Sequence, residues 1–174
     1  VSLLNGSTPG IHFPEDEYYI RRIRFSKSSS LIPALREAGY KIEDDSYSPN
    51  TYCVEFPVKE PFFQKGKRDI SMWEQLEIAA QYQHYWADNS VSITVTFKPE
   101  EAEQIKDALE MYESRLKAVS FLKYEETGYD QAPYEPITKD EYDEMNARIK
   151  PISKIITNEG GVGSKFCTND TCEI

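Results

Sequence analysis

The clearest alternation of apolar and polar residues lies at residues 90–97. One face of this stretch is apolar, and the other carries only hydroxyl side chains, a period of two that predicts a β-strand. The apolar residues are Val91, Ile93, Val95 and Phe97, and the hydroxyl residues are Ser90, Ser92, Thr94 and Thr96. A strand that faces solvent usually carries some charge. An uncharged hydroxyl face therefore indicates the inside of a barrel or a polar cavity.

Further strands are predicted on both sides of this stretch. Residues 18–25 mix strand and helix signals and favour a strand, and residues 117–122 also favour one. Residues 52–58 alternate with period two. Because proline cannot donate to a ladder, Pro57 predicts that this strand lies at a sheet edge or ends there. Cys53, inside it, is expected to be a small buried hydrophobic residue.

Capping signals mark four helices. Ser30 and Gly39 bound a short one. Ser71 with Glu74, and Thr138 with Glu141, have the spacing of capping boxes, in which two residues satisfy each other's backbone N–H. Pro99 begins the remaining helix. The positions predicted to face the core are Ala102, Ile105, Leu109 and Tyr112 in that helix, and Tyr142, Met145 and Ile149 in the last one.

Composition places the chain among folded proteins. Its 174 residues are 39% hydrophobic and 29% charged, enough for one domain or a large piece of one. The net charge of -10 repels phosphate backbones, so we expect no nucleic-acid partner. No apolar run approaches the ~18 residues needed to span a bilayer, and the start has no signal peptide. We therefore expect no membrane partner and a cytoplasmic location. The opening Val1, in place of Met, predicts a piece of something longer.

The basic residues form one cluster, at Arg21, Arg22 and Arg24. The simpler interpretation is a solvated strand or helix face, since arginine is mostly exposed in folded proteins. The alternative is local capture of an anion or of an acidic partner segment.

A glycine-rich linker and two close cysteines end the sequence. Residues 157–164 have the composition of a flexible linker, and Cys167 and Cys172 follow it. We therefore predict a folded part at residues 1–156 and a flexible, redox-active arm at residues 157–174.

Four interpretations of the cysteine pair compete. A zinc site needs four ligands, and His12 and His84 have no useful spacing to the pair, so we expect no metal. A structural disulfide would close a small loop with little entropic gain. Inert thiols are a poor choice on an exposed tail, where thiols oxidise readily. A redox shuttle fits both the placement and the mobility.

The length of the linker supports the shuttle. From Pro151 to Cys167 the chain advances 16 residues. Fully extended, these residues reach about 55 Å, and as a glycine-rich coil they span about 22 Å. Such a tether reaches an interior site and swings out again. Exchange would pass through a mixed disulfide that the second cysteine resolves.

Several stretches together resemble the C-terminal third of ribonucleotide reductase catalytic chains. They are VSLLNGSTPGIH at 1–12, YYIRRIRF at 18–25, YWADNSVSITVTFKPEEAEQI at 85–105 and GYDQAPYEPI at 128–137. The type that the chain resembles most is the monomeric, adenosylcobalamin-dependent ribonucleoside-triphosphate reductase. The DNSVS strand and the terminal cysteine pair are the most specific parts of the resemblance.

The resemblance implies an α/β fold, or α+β for the fragment. The family fold is a ten-stranded α/β barrel of two five-stranded halves around a finger loop. This chain would supply closing strands, outer helices and a flexible C-terminal tail. The implied activity is reduction of a ribonucleoside triphosphate to a 2′-deoxyribonucleotide by radical chemistry. Adenosylcobalamin, an allosteric deoxynucleotide effector, the radical cysteine and the internal cysteine pair would all belong to the missing upstream part.

The resemblance also assigns roles to particular residues. Cys167 and Cys172 would reduce the internal disulfide and would themselves be restored by thioredoxin. The phosphate loop of the family ends about where this chain begins, with Val1 taking part through its backbone N–H. The substrate-binding candidates are Val1, Ser2, Ser7 and Thr8. The other interpretation of these four residues is a plain strand-to-loop transition.

Three alternatives remain beside this type. Iron-dependent, two-subunit ribonucleoside-diphosphate reductases also end in such a cysteine pair, but they carry two adjacent tyrosines near the C-terminal side of the barrel. Residues 118–124 have no adjacent pair, and Tyr18 and Tyr19 lie in a different stretch. A non-catalytic acidic interaction domain would have a self-contained core. A thioredoxin-like domain would place its cysteines after a strand and at a helix start.

Overall fold

The computed structural model describes residues 10–124 and 130–152. All six candidate site residues lie outside the described residues, namely Val1, Ser2, Ser7, Thr8, Cys167 and Cys172. The boundary predicted between residues 156 and 157 also lies outside them, so the division into a folded part and an arm stays a prediction.

Six strands and four helices make up the described residues. In chain order they are β1 (Tyr18–Ser26), α1 (Leu31–Glu37), β2 (Lys41–Asp44), β3 (Thr51–Lys59), α2 (Met72–Tyr85), β4 (Thr94–Phe97), α3 (Ile105–Tyr112), β5 (Ser120–Lys123), β6 (Tyr134–Pro136) and α4 (Lys139–Arg148). A 3₁₀ helix, Pro99–Gln104, leads into α3. No helix among these residues has the length and apolar character to cross a membrane.

Four strands form an antiparallel sheet in the order β2-β3-β1-β6. β3 is an interior strand, but β2 pairs with it only as far as Glu55. Pro57 therefore has a strand neighbour on one side only, opposite Ile20 of β1. The prediction that proline marks an edge holds at this position rather than for the whole strand, since only a locally free edge tolerates the missing N–H.

Both faces of this sheet are buried along β3. On one face, Val54 and Phe56 pack against Ile32 and Leu35, of which the last two belong to α1. Each such side chain contributes about 1.5–3 kcal/mol when fully buried. On the opposite face Cys53 is 1% exposed, which confirms the prediction of a buried thiol.

The second sheet contains two strands, β4 and β5, which run parallel. α3 connects them, as a parallel pair requires a crossover. One face of the pair packs against α2 and α3 around Leu76, Val95 and Ala108. The strand predicted at 90–97 begins only at Thr94.

The amide of Gln83 explains the late start of β4. Its nitrogen donates to the carbonyls of Ala87 and Asn89, at 2.8 and 3.0 Å, and its oxygen accepts from the N–H of Val91 at 3.0 Å. These bonds hold the preceding residues in a turn, because side-chain amides compete with the ladder for backbone groups.

The predicted caps are confirmed at two helices and corrected at a third. The capping boxes at the start of α2 and α4 are both present. Ser30 lies at the N-cap of α1, but its side chain makes no capping hydrogen bond. Gly39 has φ +88 after that helix, and a Cβ there would lie 2.5 Å from the carbonyl oxygen of Arg148. Glycine is required at this close approach.

The core-facing side of α3 agrees with the prediction in part. Tyr112 is buried and Ile105 is half-buried, as predicted, but Ala102 and Leu109 are exposed and Ala108 is buried in their place. Ala102 lies in the 3₁₀ helix before α3, where three residues per turn instead of 3.6 change the phase. In α4 the predicted orientation is confirmed, since the half-buried positions include Tyr142, Met145 and, at its C-cap, Ile149.

Candidate functional site: a hydroxyl face and an arginine clamp

The hydroxyl face comprises Ser92, Thr94, Thr96 and Ser120, and Leu122 lies beside them on β5. Thr94 lies opposite Ser120, and Thr96 lies opposite Leu122, in the parallel register. Apart from Thr96, these side chains are exposed, while the reverse face of the strands is packed against helices. Among the described residues, then, the pair has one covered face and one open face without a charged group.

Thr96 is the buried member of the hydroxyl face, and its backbone is bonded to Gln75. The N–H of Thr96 donates to Oε1 of Gln75 at 2.9 Å, and Nε2 of Gln75 donates to the Thr96 carbonyl at 2.7 Å. Gln75 is itself buried within α2. Its amide thus takes the place of a neighbouring strand at this point of β4 and anchors the helix to the sheet.

The chemistry open to the hydroxyl face follows from its side chains. Serine and threonine hydroxyls donate and accept hydrogen bonds without carrying charge. Such a face has groups that can orient a polar ligand, and it supplies neither a general acid nor a general base from its own members. It suits the lining of a polar cavity rather than a reacting centre.

The arginine clamp consists of the three arginines of β1 and the segment that they hold, residues 130–136. Each arginine donates a hydrogen bond to one of three consecutive backbone carbonyls in this segment. The pairs are Arg21 with Pro133 at 3.1 Å, Arg22 with Ala132 at 3.0 Å and Arg24 with Gln131 at 3.3 Å. The clamp fixes the chain where it enters β6.

Arg22 is the buried centre of the clamp. Its guanidinium donates twice to Glu55, at 3.0 and 2.8 Å, and also pairs with Glu135. The side chains of Arg22 and Glu55 are 10% and 5% exposed. Burial alone would lower the pKa of Arg22, but its bonds to Glu135 and Glu55 raise it. The solvated face predicted for the basic cluster is thus wrong for Arg22, whereas Arg24 is exposed. The acidic groups that the cluster binds belong to this chain, so capture of an acidic partner segment stays a prediction.

The turn between β2 and β3 is bound to the same segment. Arg24 donates to the buried carboxylate of Asp45 at 2.8 Å. The Gln131 amide bridges the carbonyl of Asp44 and the N–H of Ser46, both at 2.9 Å. These bonds make the clamp a structural fixture, because its charges are satisfied by one another rather than directed at an open cavity.

Several known proteins are similar to this chain over most or all of its length. No family model matches the chain. It is 44% identical to a probable adenosylcobalamin-dependent ribonucleoside-triphosphate reductase of Dictyostelium discoideum, over 100% of this chain and 24% of that protein. The adenosylcobalamin-dependent ribonucleoside-triphosphate reductase of Euglena gracilis is 42% identical, over 99% of this chain and 25% of that protein. The adenosylcobalamin-dependent ribonucleoside-triphosphate reductase of Levilactobacillus brevis is 48% identical, over 82% of this chain and 20% of that protein.

A solved structure that matches the chain is the crystal structure of a B-12 dependent (class II) ribonucleotide reductase. The TM-score is 0.70 at 39% sequence identity, over 83% of this chain and 20% of that one. The chain belongs to the class II ribonucleotide reductase family. It spans about a quarter of the length of the curated relatives that it matches. The resemblance drawn from the sequence and the α/β fold class are both confirmed.

Within this reductase segment, the residues that build the site were not predicted from the sequence. Gln75 had a visible signal, since a polar residue sits beside Leu76 on the core side of a predicted helix. Glu55 had one as well, as a charge inside an alternating strand. The clamp partners at residues 131–133 had none, because backbone carbonyls carry no sequence signature.

The groove found in the described part of the reductase segment is too small for the whole of adenosylcobalamin. This groove of about 320 Å³ lies between α3 and the residues before β5, lined by Leu109, Tyr112 and Val119 among others. That volume is at the lower end for pockets of drug-sized ligands, and a corrinoid is larger.

Proposed function

We propose that this chain is the part of an adenosylcobalamin-dependent ribonucleoside-triphosphate reductase that builds a wall of the reaction chamber and carries the redox arm. The enzyme converts ribonucleoside triphosphates to 2′-deoxyribonucleotides by radical chemistry. Adenosylcobalamin and an allosteric deoxynucleotide effector bind mainly to the rest of the polypeptide. The observation that carries this proposal is the β4–α3–β5 unit with its one covered and one uncharged, open face.

The parallel pair supports a larger barrel on physical grounds. Parallel sheets occur almost only with both faces covered, and two strands alone are marginal in water. Helices cover one face here, and the other carries hydroxyl groups rather than charges. A face of this kind suits the interior of a barrel, where inward side chains contact a polar ligand. The family relatives, named for this reductase activity, support the same conclusion.

The redox arm completes the proposed cycle. A thiolate of Cys167 or Cys172 attacks the disulfide that forms in the reaction chamber during turnover, and a mixed disulfide results. The second cysteine resolves it, which leaves the chamber dithiol reduced and the arm oxidised. Thioredoxin then reduces the arm by the same exchange. Reducing conditions in the cytoplasm, the proposed location, keep this pathway supplied. Val1, Ser2, Ser7 and Thr8 are the proposed contacts to the substrate phosphates.

The test uses the full-length enzyme with Cys167→Ser or Cys172→Ser. We expect turnover of a ribonucleoside triphosphate driven by thioredoxin to fall at least about 100-fold, because each half of the exchange needs both sulfurs. Dithiothreitol, which enters the chamber directly, should restore turnover. Cys53→Ala is the matched control, since this thiol is buried in the antiparallel sheet and far from the arm in sequence.

Unchanged turnover with thioredoxin in either serine variant would contradict the shuttle. Turnover that persists without adenosylcobalamin would instead favour the iron-dependent, two-subunit type, for which the cofactor is not needed.

A further inference from the structure

The backbone that follows α4 is bonded to the end of α1. The N–H of Lys150 donates to the carbonyl of Ala38 at 2.8 Å. Carbonyl groups at the end of a helix have no partner within the helix, so this bond satisfies one of them. A Cβ on Gly39 would lie 2.5 Å from the carbonyl oxygen of Arg148, so the two backbones approach closely there as well. We call the pairing of these four residues the root contact, because the proposed redox arm follows it in the chain.

The root contact joins this backbone to a packed core. α1 is held on the antiparallel sheet by Ile32 and Leu35, which are both buried. Ala38 is buried as well. Gly39 is exposed, so a methyl group added there would disturb the root contact without entering the core. The position of the chain at the end of α4 is therefore set by α1.

α4 by itself is held weakly. None of its residues is buried, and the ring of Tyr142, 5.2 Å from that of Tyr18, is only half-buried. Two ion pairs along α4, each between residues four apart, join exposed side chains, and such pairs contribute little. The root contact is therefore the main fixture at the C-terminal end of this helix.

We propose that the root contact positions the redox arm, and that Gly39 is the positioning residue because it alone permits the close approach. The inference rests on the proposed function, in which the arm reduces the disulfide of the reaction chamber. The root contact fixes the point from which the arm starts, and this point sets how often its cysteines reach the chamber.

The length of the tether gives the size of the effect. With the root contact formed, 16 residues separate Pro151 from Cys167. If the contact is lost and α4 leaves the sheet, the last fixed point becomes Ile137, whose N–H donates to the Tyr18 carbonyl at 3.0 Å. The tether from Ile137 to Cys167 is then 30 residues long. Effective concentration falls roughly as the -3/2 power of tether length, so exchange between arm and chamber slows about two- to threefold.

The test follows the pre-reduced, full-length enzyme with adenosylcobalamin and a ribonucleoside triphosphate, without an external reductant. Each product consumes two electrons, so the first turnover converts the chamber dithiol to a disulfide. The arm dithiol then reduces this disulfide by two thiol exchanges and is itself oxidised, which permits a second turnover. Rapid quenching therefore separates a first product phase, which needs no arm, from a second phase, which does.

Gly39→Ala should slow the second phase about two- to threefold and leave the first phase and both amplitudes unchanged. Gly10→Ala is the matched control. Gly10 has φ +70 and Gly39 has φ +88, so alanine is strained at both positions, but a Cβ on Gly10 meets no described atom within 4 Å. Gly10→Ala should leave the ratio of the two rates unchanged.

A second pair of variants tests the root contact without a change at Gly39. Lys150→Pro removes the N–H that the Ala38 carbonyl accepts, and Ile149 has φ -88 and ψ 132, which suits a residue before proline. This variant should slow the second phase as Gly39→Ala does. Lys150→Ala changes the same exposed side chain but keeps the N–H, so it should behave as the wild type.

A second phase that is unchanged or faster in either Gly39→Ala or Lys150→Pro overturns the proposal. Equal slowing of both phases overturns it too, because the root contact then acts on the fold as a whole. Cys167→Ser judges the proposed function separately, since the second phase should disappear in that variant. If the second phase persists there, the arm is not the reductant, and the proposed function fails whatever Gly39→Ala shows.

Discussion

The two sheets of this molecule are stabilised in different ways. The antiparallel sheet is packed on one face around Val54 and Phe56, and on the other it holds the buried pair of Arg22 and Glu55. The parallel pair of β4 and β5 is packed on one face only. The antiparallel sheet therefore finds its partners within the described residues, whereas the parallel pair leaves a face and an edge for the rest of the enzyme.

The antiparallel sheet is therefore a scaffold, and the parallel pair carries the candidate site. Buried charges on the antiparallel sheet are satisfied by each other, so they fix one arrangement of the chain and have little capacity left for a ligand. Among the described residues, the side-chain hydroxyls of the hydroxyl face make no such ion pairs. A reaction chamber needs groups of the second kind.

The largest expected effect concerns the arginine clamp. Arg22→Ala leaves the buried carboxylate of Glu55 without its main partner, with Lys41 at 3.2 Å as the remaining cation. Breaking a buried pair costs about 3 kcal/mol. Native-state hydrogen exchange of the β1 and β6 amides in the full-length enzyme should show a fall of that size in the local opening free energy. The opening free energy of Arg22→Lys should lie between those of the wild type and Arg22→Ala, because lysine keeps the charge but lacks the forked geometry of arginine.

A fall of less than about 0.5 kcal/mol, the range of ordinary surface substitutions, would contradict this view of the clamp. The antiparallel sheet would then owe its stability to its apolar face alone.

A smaller effect is expected at the link between α2 and α3. Arg115 donates to Glu77 at 2.7 and 2.8 Å, and Tyr112 donates at 3.0 Å, which lowers the pKa of Glu77 from 4.5 to about 2. A carboxyl with a lowered pKa stabilises the fold above its unfolded pKa, and the stabilisation is lost as pH falls to the folded value. The link should therefore weaken between about pH 4.5 and about pH 2.

Glu77→Gln is the control for this titration. The opening free energies of α2 in wild type and variant should differ at pH 6 and converge as the pH approaches 2, if the enzyme stays folded in that range. A constant difference across the range would show that Glu77 acts through packing and not through its charge.

Local sequence signals predicted the longer elements well. The capping boxes at Ser71 and Thr138 locate their helices because the signal and the bond involve the same two residues. The strands β2 and β6 were not predicted. β2 spans four residues and β6 three, and both depend on pairing with another strand rather than on their own pattern.

The site was predictable in part for a related reason. The alternation of apolar and polar residues predicted the hydroxyl face, because the period of side chains along a strand is a local property. The arginine clamp depends on chain segments more than 100 residues apart, as between Arg22 and Ala132, and no local pattern reports it. The proposed redox arm rests on sequence spacing alone, because its cysteines lie outside the described residues.

The claim that the hydroxyl face lines the reaction chamber is tested most directly by Thr94→Asp in the full-length enzyme. Turnover of a ribonucleoside triphosphate with dithiothreitol should fall at least about tenfold, since a carboxylate on a chamber wall repels the substrate phosphates. Ser28→Asp, on an exposed turn beside β1, adds the same charge and should leave turnover unchanged. Equal turnover in both variants and the wild type would contradict the account.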